Sequence, residues 1–175
     1  MEIRALREGD DRSTFHSGDP DLDRFFLRFA GQNQFRHHVG VTYVAVEDDR
    51  ILGFATVCPA HLEIDRLPAR ARRGLPRYPV PVLRLARLAV DRSAQRMGLG
   101  SQLLRFVLQL AVRLTRDYGC GGVVVDSKPP AVAFYARYGF VTVEALEGQS
   151  EARPQPTPMF LSMRAILSAS GGHGG

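Results

Sequence analysis

The chain has 175 residues, a formal net charge of +5 and 45% hydrophobic residues. This length and composition are typical of one soluble globular domain. No run of about 18 or more apolar residues is present, which excludes a transmembrane helix, and the N-terminal residues do not resemble a signal peptide. We therefore predict one domain over residues 1–166, a disordered tail over residues 167–175, and a location in the cytoplasm.

The chain contains only two cysteines, Cys58 and Cys120. Free cysteines are among the residues most often buried, and disulfides are rare inside cells. Neither cysteine has a second cysteine at the spacing typical of zinc ligands. The sequence therefore predicts two reduced cysteines and no metal site.

The first half of the chain predicts a short strand at residues 2–6 and then a helix. Asp19 followed by Pro20 is a helix start, because aspartate caps the first backbone amides and proline suits the first helical position. The segments 41–46 and 51–57 are rich in β-branched residues and predict a β-hairpin. The helix is expected to bury an apolar stripe made of Leu22, Phe25, Phe26 and Phe29.

The second half of the chain alternates strands with helices. Residues 66–79 are rich in arginine and proline, which indicates a loop or a broken helix, and the apolar segment 80–90 predicts a central strand. An amphipathic helix follows and ends at Tyr118-Gly119. Further elements are predicted as a strand at 123–125, a helix from Pro129 through Tyr138, and strands at 141–143 and 159–163. The order of these elements predicts an α/β fold with a central mixed sheet flanked by helices.

The turn Gln95-Arg96-Met97-Gly98-Leu99-Gly100 lies between the central strand and the amphipathic helix. Its glycines let a ligand approach the backbone closely, and the first amides of a helix have no intrahelical acceptor. Together with the helix dipole, these amides form a site suited to phosphate or pyrophosphate, to which Gln95 and Arg96 can add side-chain donors. Two glycines taken alone more often make only a tight strand-to-helix turn with no ligand.

Asp126, Lys128 and the start of the next helix follow a buried strand. In a parallel sheet, ligands collect at the carboxyl ends of the strands, so these residues are expected to face the same crevice as the glycine turn. A tyrosine in that helix, Tyr135 or Tyr138, could donate a proton to a leaving thiolate there. The alternative for either tyrosine is a packed aromatic ring whose hydroxyl is solvated.

Three motifs together resemble the GNAT N-acetyltransferase superfamily: Leu88-Ala89-Val90-Asp91, Gln95-x-x-Gly98-x-Gly100 and Ala133-Phe134-Tyr135-x-x-Tyr138-Gly139-Phe140. The resemblance covers most of residues 1–166 and implies the GNAT fold, acetyl-CoA as the cofactor and Tyr135 as the general acid. It implies cofactor contacts from Leu88, Ala89, Val90, Gln95, Arg96, Gly98, Leu99, Gly100, Ser101, Lys128 and Tyr138.

A narrower resemblance involves Phe15-His16-Ser17-Gly18-Asp19-Pro20, Tyr78-Pro79-Val80-Pro81-Val82 and Met159-Phe160-Leu161. These segments are similar to the toxins of type II toxin–antitoxin pairs, which acetylate the α-amine of aminoacyl-tRNA and block translation. The resemblance implies a ribbon-helix-helix antitoxin as a partner, and a homodimer is also expected. Ser127-Lys128-Pro129-Pro130 departs from the longer polar helix start typical of this group.

Two further features bear on the acceptor. The stretch from Arg66 to Arg87 carries many arginines and no acidic residue, as surfaces that follow a phosphate backbone do, although a solvated arginine-rich loop has the same composition. The central strand carries no carboxylate as a general base. This absence favours an α-amine, whose pKa of about 7.7–8.0 leaves it partly neutral, over a lysine. The candidate tRNA contacts are Arg72, Arg73, Arg77 and Arg87.

The sequence thus predicts acetyl transfer to aminoacyl-tRNA by direct attack of the amine. Two alternatives stay open: a GNAT enzyme that acetylates a small amine or a protein N-terminus, and a non-catalytic cofactor-binding or co-repressor module. The accepting amino acid, the tRNA and an acyl group other than acetyl are also left open by the residues.

Overall fold

The computed structural model describes residues 1–143 and 155–171. Its strands are β1 (Glu2–Ala5), β2 (Val41–Glu47), β3 (Arg50–Leu62), β4 (Val80–Val90), β5 (Gly122–Ser127), β6 (Val141–Thr142) and β7 (Thr157–Ser162). Its α-helices are α1 (Pro20–Arg24), α2 (Ala30–Phe35), α3 (Ala69–Arg72), α4 (Leu99–Asp117), α5 (Val132–Arg137) and α6 (Met163–Gly171).

The strands form one seven-stranded sheet in the order β1-β2-β3-β4-β5-β7-β6. The final strand, β7, pairs antiparallel with both β5 and β6, so it lies between them. The predicted α/β fold with a central mixed sheet is confirmed. Within the described residues, no helix is both long enough and apolar enough to cross a membrane.

The chain divides into two compact units. The first comprises Met1–Cys58 and Leu85–Val107, and the second comprises Pro59–Arg84 and Leu108–Gly175. Each unit has its own group of packed apolar side chains.

The core of the first unit is built around aromatic rings. Phe54 of β3 is fully buried and stacks on Phe26, with ring centroids 4.3 Å apart and planes inclined by 6°. Phe15 packs edge-on against both rings, and Phe25 lies beside Phe54 at 6.2 Å. Of the predicted apolar stripe, Phe25 and Phe26 are therefore part of this core and Leu22 packs against it, whereas Phe29 is 44% exposed, so the prediction is wrong for Phe29.

The first helix begins as predicted and then changes its geometry. Asp19 caps α1 by accepting hydrogen bonds from the backbone amides of Asp21 and Leu22, and Pro20 is the first helical residue. A π-helical turn, Phe25–Phe29, separates α1 from α2. Such turns are often found at functional sites, and apolar spacing alone gave no indication of this one.

The hairpin of β2 and β3 turns at Asp48 and Asp49, which have φ angles of 49° and 61°. Positive φ at both central residues is typical of the two-residue turns that match the twist of a hairpin, and aspartate tolerates it better than most residues. The hairpin predicted from 41–46 and 51–57 is confirmed, with β3 extending to Leu62.

The core of the second unit lies on β4, β5 and β7, where Val82, Val124 and Phe160 pack together. Residues 64–75 cover it with partly buried apolar side chains, among them Ile64, Ala71 and Leu75. The predicted loop or broken helix is a 3-10 turn, Ile64–Arg66, followed by the single turn of α3.

The C-terminal prediction needs a correction. Residues 167–171 were expected to be disordered, but they belong to α6, whose Ile166 is buried. The hydroxyls of Ser168 and Ser170 donate to the carbonyls of Arg164 and Ile166, four residues earlier, which keeps these serines compatible with a helix. The rest of the predicted tail, residues 172–175, lies outside the described residues, as do residues 144–154.

Candidate active site

The turn before α4 has the backbone geometry of an anion site. Arg96 and Gly98 both adopt left-handed conformations, with φ angles of 64° and 81°, and α4 begins directly afterwards at Leu99. Consecutive amides in such a turn converge on a common point, and the N-terminus of a long helix adds its dipole. A Cβ atom added at Gly98 would meet no atom within 4 Å, so the space beside this backbone is open. The turn therefore fits a pyrophosphate group.

Gln95 has a different part in this turn from the one expected. Its side-chain Nε2 donates to the carbonyl of Ser17 at 2.7 Å and to the carbonyl of Val90 at 3.0 Å. Both amide hydrogens are thereby used within the protein. In this structure the Gln95 side chain therefore holds the turn in place, and cofactor contact by Gln95 stays a prediction.

Asp91 precedes the turn and is 3% exposed. Its carboxylate accepts hydrogen bonds from the His16 amide at 2.9 Å, the Ser93 amide at 3.0 Å and the Ser93 hydroxyl at 2.7 Å. Arg50 lies at 3.3 Å. Burial by itself raises the pKa of Asp91, but the hydrogen bonds from Ser93 and His16 outweigh it and hold the pKa below its usual value. The carboxylate thus ties the segment at residue 16 to the start of the glycine turn.

We expect Asp91→Ala to weaken both folding and cofactor binding. The substitution leaves the amides of His16 and Ser93, whose hydrogen bonds to Asp91 are partly buried, without their acceptor, which costs about 1–3 kcal/mol. Loosening of the turn should raise the Kd for acetyl-CoA on the order of tenfold, measured by calorimetry. Asp21→Ala, at an exposed aspartate of α1, is the control. A reduced stability with an unchanged Kd would contradict a positioning role for Asp91.

Tyr135 lies in α5 and is 5% exposed. Its ring packs edge-on against Phe134 at 5.1 Å and Phe140 at 5.5 Å between centroids. Burial raises the pKa of Tyr135 above its ordinary value, so its hydroxyl remains protonated at neutral pH. Tyr138 closes the same helix and is only partly buried, and Gly139, with a φ of 93°, provides the left-handed residue predicted after it.

Lys128 stands at the start of the 3-10 turn that leads into α5. Its carbonyl accepts hydrogen bonds from the Ala131 amide at 2.9 Å and the Ser127 hydroxyl at 3.0 Å. The two prolines of the unusual Ser127-Lys128-Pro129-Pro130 segment thus begin a turn that continues into the tyrosine-bearing helix. Cofactor contact by Lys128 stays a prediction.

Asp126 and Arg84 were given no role by the sequence. Asp126 ends the apolar run of β5 and is half-buried, and its Oδ1 is buried without a hydrogen-bond partner. Desolvation raises the pKa of Asp126, while the positive charge of Arg84 acts in the opposite direction. The available signal was that charged residues interrupt two largely apolar strands, Asp126 in β5 and Arg84 and Arg87 in β4.

The candidate tRNA contacts fall into two groups. Arg72, Arg73 and Arg77 are exposed in the second unit, on a segment anchored by apolar side chains. None of these three forms an ion pair with any residue that the structure describes. Arg87 lies in the first unit, where its guanidinium stacks on Phe25 with its carbon 3.8 Å from the ring centroid. Desolvation lowers the pKa of Arg87.

The remaining predicted cofactor residues lie together in the first unit. Leu88, Ala89 and Val90 end β4, and Leu99, Gly100 and Ser101 open α4, with the turn between them. Lys128, Tyr135 and Tyr138 belong to the second unit. Among the described residues, no group of histidine, cysteine, aspartate and glutamate is arranged to hold a metal ion.

Comparison with known proteins supports the class of protein that this fold and turn define. The family model "Acetyltransferase (GNAT) domain" matches residues 38–142. A curated relative, the "tRNA-acetylating toxin" of Mycobacterium tuberculosis, is 36% identical over 140 residues, which are 78% of this chain and 82% of the relative. The chain belongs to the GNAT acetyltransferase family, for which acetyl-CoA is the cofactor.

The solved structures with the same fold include proteins described as toxins. AtaT complexed with acetyl-methionyl-tRNAfMet has a TM-score of 0.81 at 23% identity, covering 97% of this chain and 98% of that one. A tyrosine-to-phenylalanine mutant of AtaT, bound to the C-terminus of the antitoxin AtaR and acetyl-CoA, has a TM-score of 0.75 at 21% identity, covering 96% of each chain. At these identities, the likeness establishes the fold.

Proposed function

We propose that this protein transfers acetyl from acetyl-CoA to the α-amine of aminoacyl-tRNA and thereby acts as a translation-blocking toxin. The observation that carries this proposal is the 36% identity to a curated tRNA-acetylating toxin over most of both chains. The exposed arginines of the second unit and the lack of a carboxylate on β4 are consistent with it.

The cofactor is held by the chain's own amides in this proposal. The turn amides around Arg96 and Gly98, and the first amides of α4, bind the pyrophosphate, while the end of β4 offers backbone groups to the pantetheine arm. Acetyl-CoA supplies the acetyl group as a thioester, which is activated for attack by an amine. Hydrogen bonds made by the side chains of Asp91 and Gln95 hold the turn in place.

Tyr135 is the proposed general acid for the departing thiolate. The ordinary pKa of a phenol, about 10, exceeds that of a thiol, about 8.5, so complete proton transfer in water costs about 2 kcal/mol. Burial raises the pKa of the thiol as well as that of the phenol, because desolvation disfavours both anions. The difference between the two pKa values in water therefore does not apply directly to the buried site. A phenol that stays protonated at neutral pH can donate a hydrogen bond to sulfur throughout the reaction.

The tRNA is bound by arginines in the proposed complex. Arg72, Arg73 and Arg77 are exposed on a segment whose apolar residues pack against the core of the second unit. This packing holds the backbone that carries the three charges. Arginine guanidiniums suit phosphate oxygens because they can bind two of them at once. Arg87 is held flat on Phe25 and is a fourth candidate contact.

Partners and location follow from the proposed substrate. A toxin of this kind requires an inhibitor, and we propose an antitoxin of the ribbon-helix-helix class, with a homodimer as the state of the toxin itself. Since aminoacyl-tRNA is the substrate, the cytoplasm is the proposed location.

The test is to incubate the purified chain with radiolabelled acetyl-CoA and bulk tRNA, either charged with amino acids or stripped of them. We expect label on charged tRNA alone, and an affinity for tRNA that falls as salt rises, since phosphate contacts release counterions. Label on a polyamine or peptide but on neither tRNA would favour the small-amine alternative. The absence of CoA release with every acceptor would favour the non-catalytic module.

A further inference from the structure

The half-buried carboxylate of Asp126 differs from those of Asp91 and Asp10. Asp91 accepts three hydrogen bonds from His16 and Ser93, and Asp10 receives two from the Arg4 guanidinium, both at 2.8 Å. Asp126 Oδ1, in contrast, is buried and accepts none. A buried carboxylate oxygen without a donor costs free energy, so its retention calls for an explanation other than folding.

Strand geometry places Asp126 on a defined face of the sheet. Side chains two residues apart in a strand share a face, so Asp126 lies on the face of Val124, and Arg84 lies on the face of Val82. Val82 and Val124 pack in the same apolar cluster. Arg84 and Asp126 are therefore neighbours on one face, next to the apolar core of the second unit.

Arg84 is the opposing charge that acts on Asp126 among the described residues. Arg84 on β4 favours the ionised carboxylate, while desolvation raises its pKa. On the other side, β7 places Pro158 opposite Asp126, and proline carries neither a titratable side chain nor an amide hydrogen. Nine residues further along the chain, α5 carries Tyr135 in the same unit.

We propose that Asp126 is a further catalytic residue, whose carboxylate hydrogen bonds to the acceptor amine and takes the proton that the nitrogen loses. This proposal rests on the proposed acetyl transfer to an α-amine, and it replaces unassisted attack with general-base catalysis. An amine offers an N–H donor of the kind that Asp126 Oδ1 lacks among the described residues.

The proposed step balances as follows. The lone pair of the neutral amine forms a C–N bond with the acetyl carbonyl carbon, and the C–S bond breaks with its electron pair passing to sulfur. The proton from nitrogen goes to the Asp126 carboxylate, and the proton of the Tyr135 hydroxyl goes to sulfur. The products are an N-acetyl amide and a free thiol, and solvent returns a proton from Asp126 to the Tyr135 phenolate.

The test compares Asp126→Ala with the unchanged chain in acetyl transfer to bulk charged tRNA. Loss of a general base should reduce kcat by about 10²-fold. Acetyl-CoA binding, measured by calorimetry, should be unaffected. Formate added at high concentration should restore part of the rate, because it supplies a carboxylate in the vacated space. Asp117→Asn, which removes an exposed carboxylate at the end of α4, should retain full activity.

Thermal unfolding provides a readout that does not depend on turnover. If Asp126 serves catalysis at the expense of stability, Asp126→Ala should unfold at the same temperature or a higher one. A lower Tm together with loss of activity that formate does not restore would assign Asp126 to the fold and overturn the proposal. Full activity of Asp126→Ala would also overturn the proposal.

The two proposals fail in different ways. If the unchanged chain does not label charged tRNA, the proposed acceptor is wrong, and the comparison is then made with whichever amine is acetylated. If the unchanged chain labels charged tRNA and Asp126→Ala does so at the same rate, the acceptor stands and the role of Asp126 is wrong.

Discussion

Tyr135→Phe is expected to lower kcat by about 10²–10⁴-fold while leaving the Kd for acetyl-CoA nearly unchanged. The ring of Tyr135 packs between Phe134 and Phe140, and a phenylalanine keeps these contacts while removing only the hydroxyl. A loss confined to kcat is typical of an interaction made in the transition state. CoA release and calorimetry measure the two quantities.

The matched control is Tyr118→Phe, at a tyrosine that is 87% exposed beyond the end of α4. It loses a hydroxyl of the same chemistry in solvent and should retain full activity. Equal turnover by Tyr135→Phe and the unchanged chain would remove Tyr135 as the general acid.

The raised pKa of Tyr135 also predicts a pH dependence of stability. Above about pH 10, an unfolded tyrosine loses its proton while buried Tyr135 keeps it, so the folded state binds more protons. The free energy of unfolding should therefore fall as pH rises above about 10, and this part of the fall should be absent in Tyr135→Phe. Urea unfolding at a series of alkaline pH values measures it.

Phe54→Ala is expected to reduce the free energy of unfolding by about 3–5 kcal/mol. Phe54 is fully buried and contacts the rings of Phe15, Phe25 and Phe26, so its removal leaves a cavity that three large rings border. Typical domains have only about 5–15 kcal/mol of stability in total. Urea denaturation gives the change, with an unaltered m-value if the unfolded state is the same.

The same substitution should affect function through two neighbours of Phe54. Phe15 precedes His16, whose amide donates to Asp91, and Phe25 supports the Arg87 guanidinium. Leu27→Ala is the control, because Leu27 is 51% exposed and its truncation should cost less than about 0.5 kcal/mol. A loss below about 1 kcal/mol for Phe54→Ala would show that the aromatic cluster closes the cavity by rearranging.

Local sequence signals determined much of this protein. Asp19-Pro20 predicted the start of α1, the β-branched segments 41–46 and 51–57 predicted the β2–β3 hairpin, and the amphipathic pattern predicted α4. The glycine turn before α4 was also predicted, because left-handed residues and helix starts favour particular residue types within a few adjacent positions. Each of these features depends on neighbours in the chain.

The tertiary structure decided which of the polar side chains are used within the protein. Gln95 donates to Ser17 and Val90, and Asp91 accepts from His16, which is 75 positions away in the chain. The π-helical turn at Phe25–Phe29 and the stacking of Arg87 likewise depend on packing partners from other elements.

Asp126 illustrates the limit of local signals most clearly. A carboxylate at the end of an apolar strand is visible in the sequence, but its enclosure, its unpaired oxygen and its nearness to Arg84 arise only when β4 and β5 are neighbours in the sheet. The sequence determines which donors, acceptors and charges exist and where the backbone turns. Which of them meet, and which carboxylate is left without a donor, is decided by long-range packing, because desolvation and hydrogen bonding depend on distance in space.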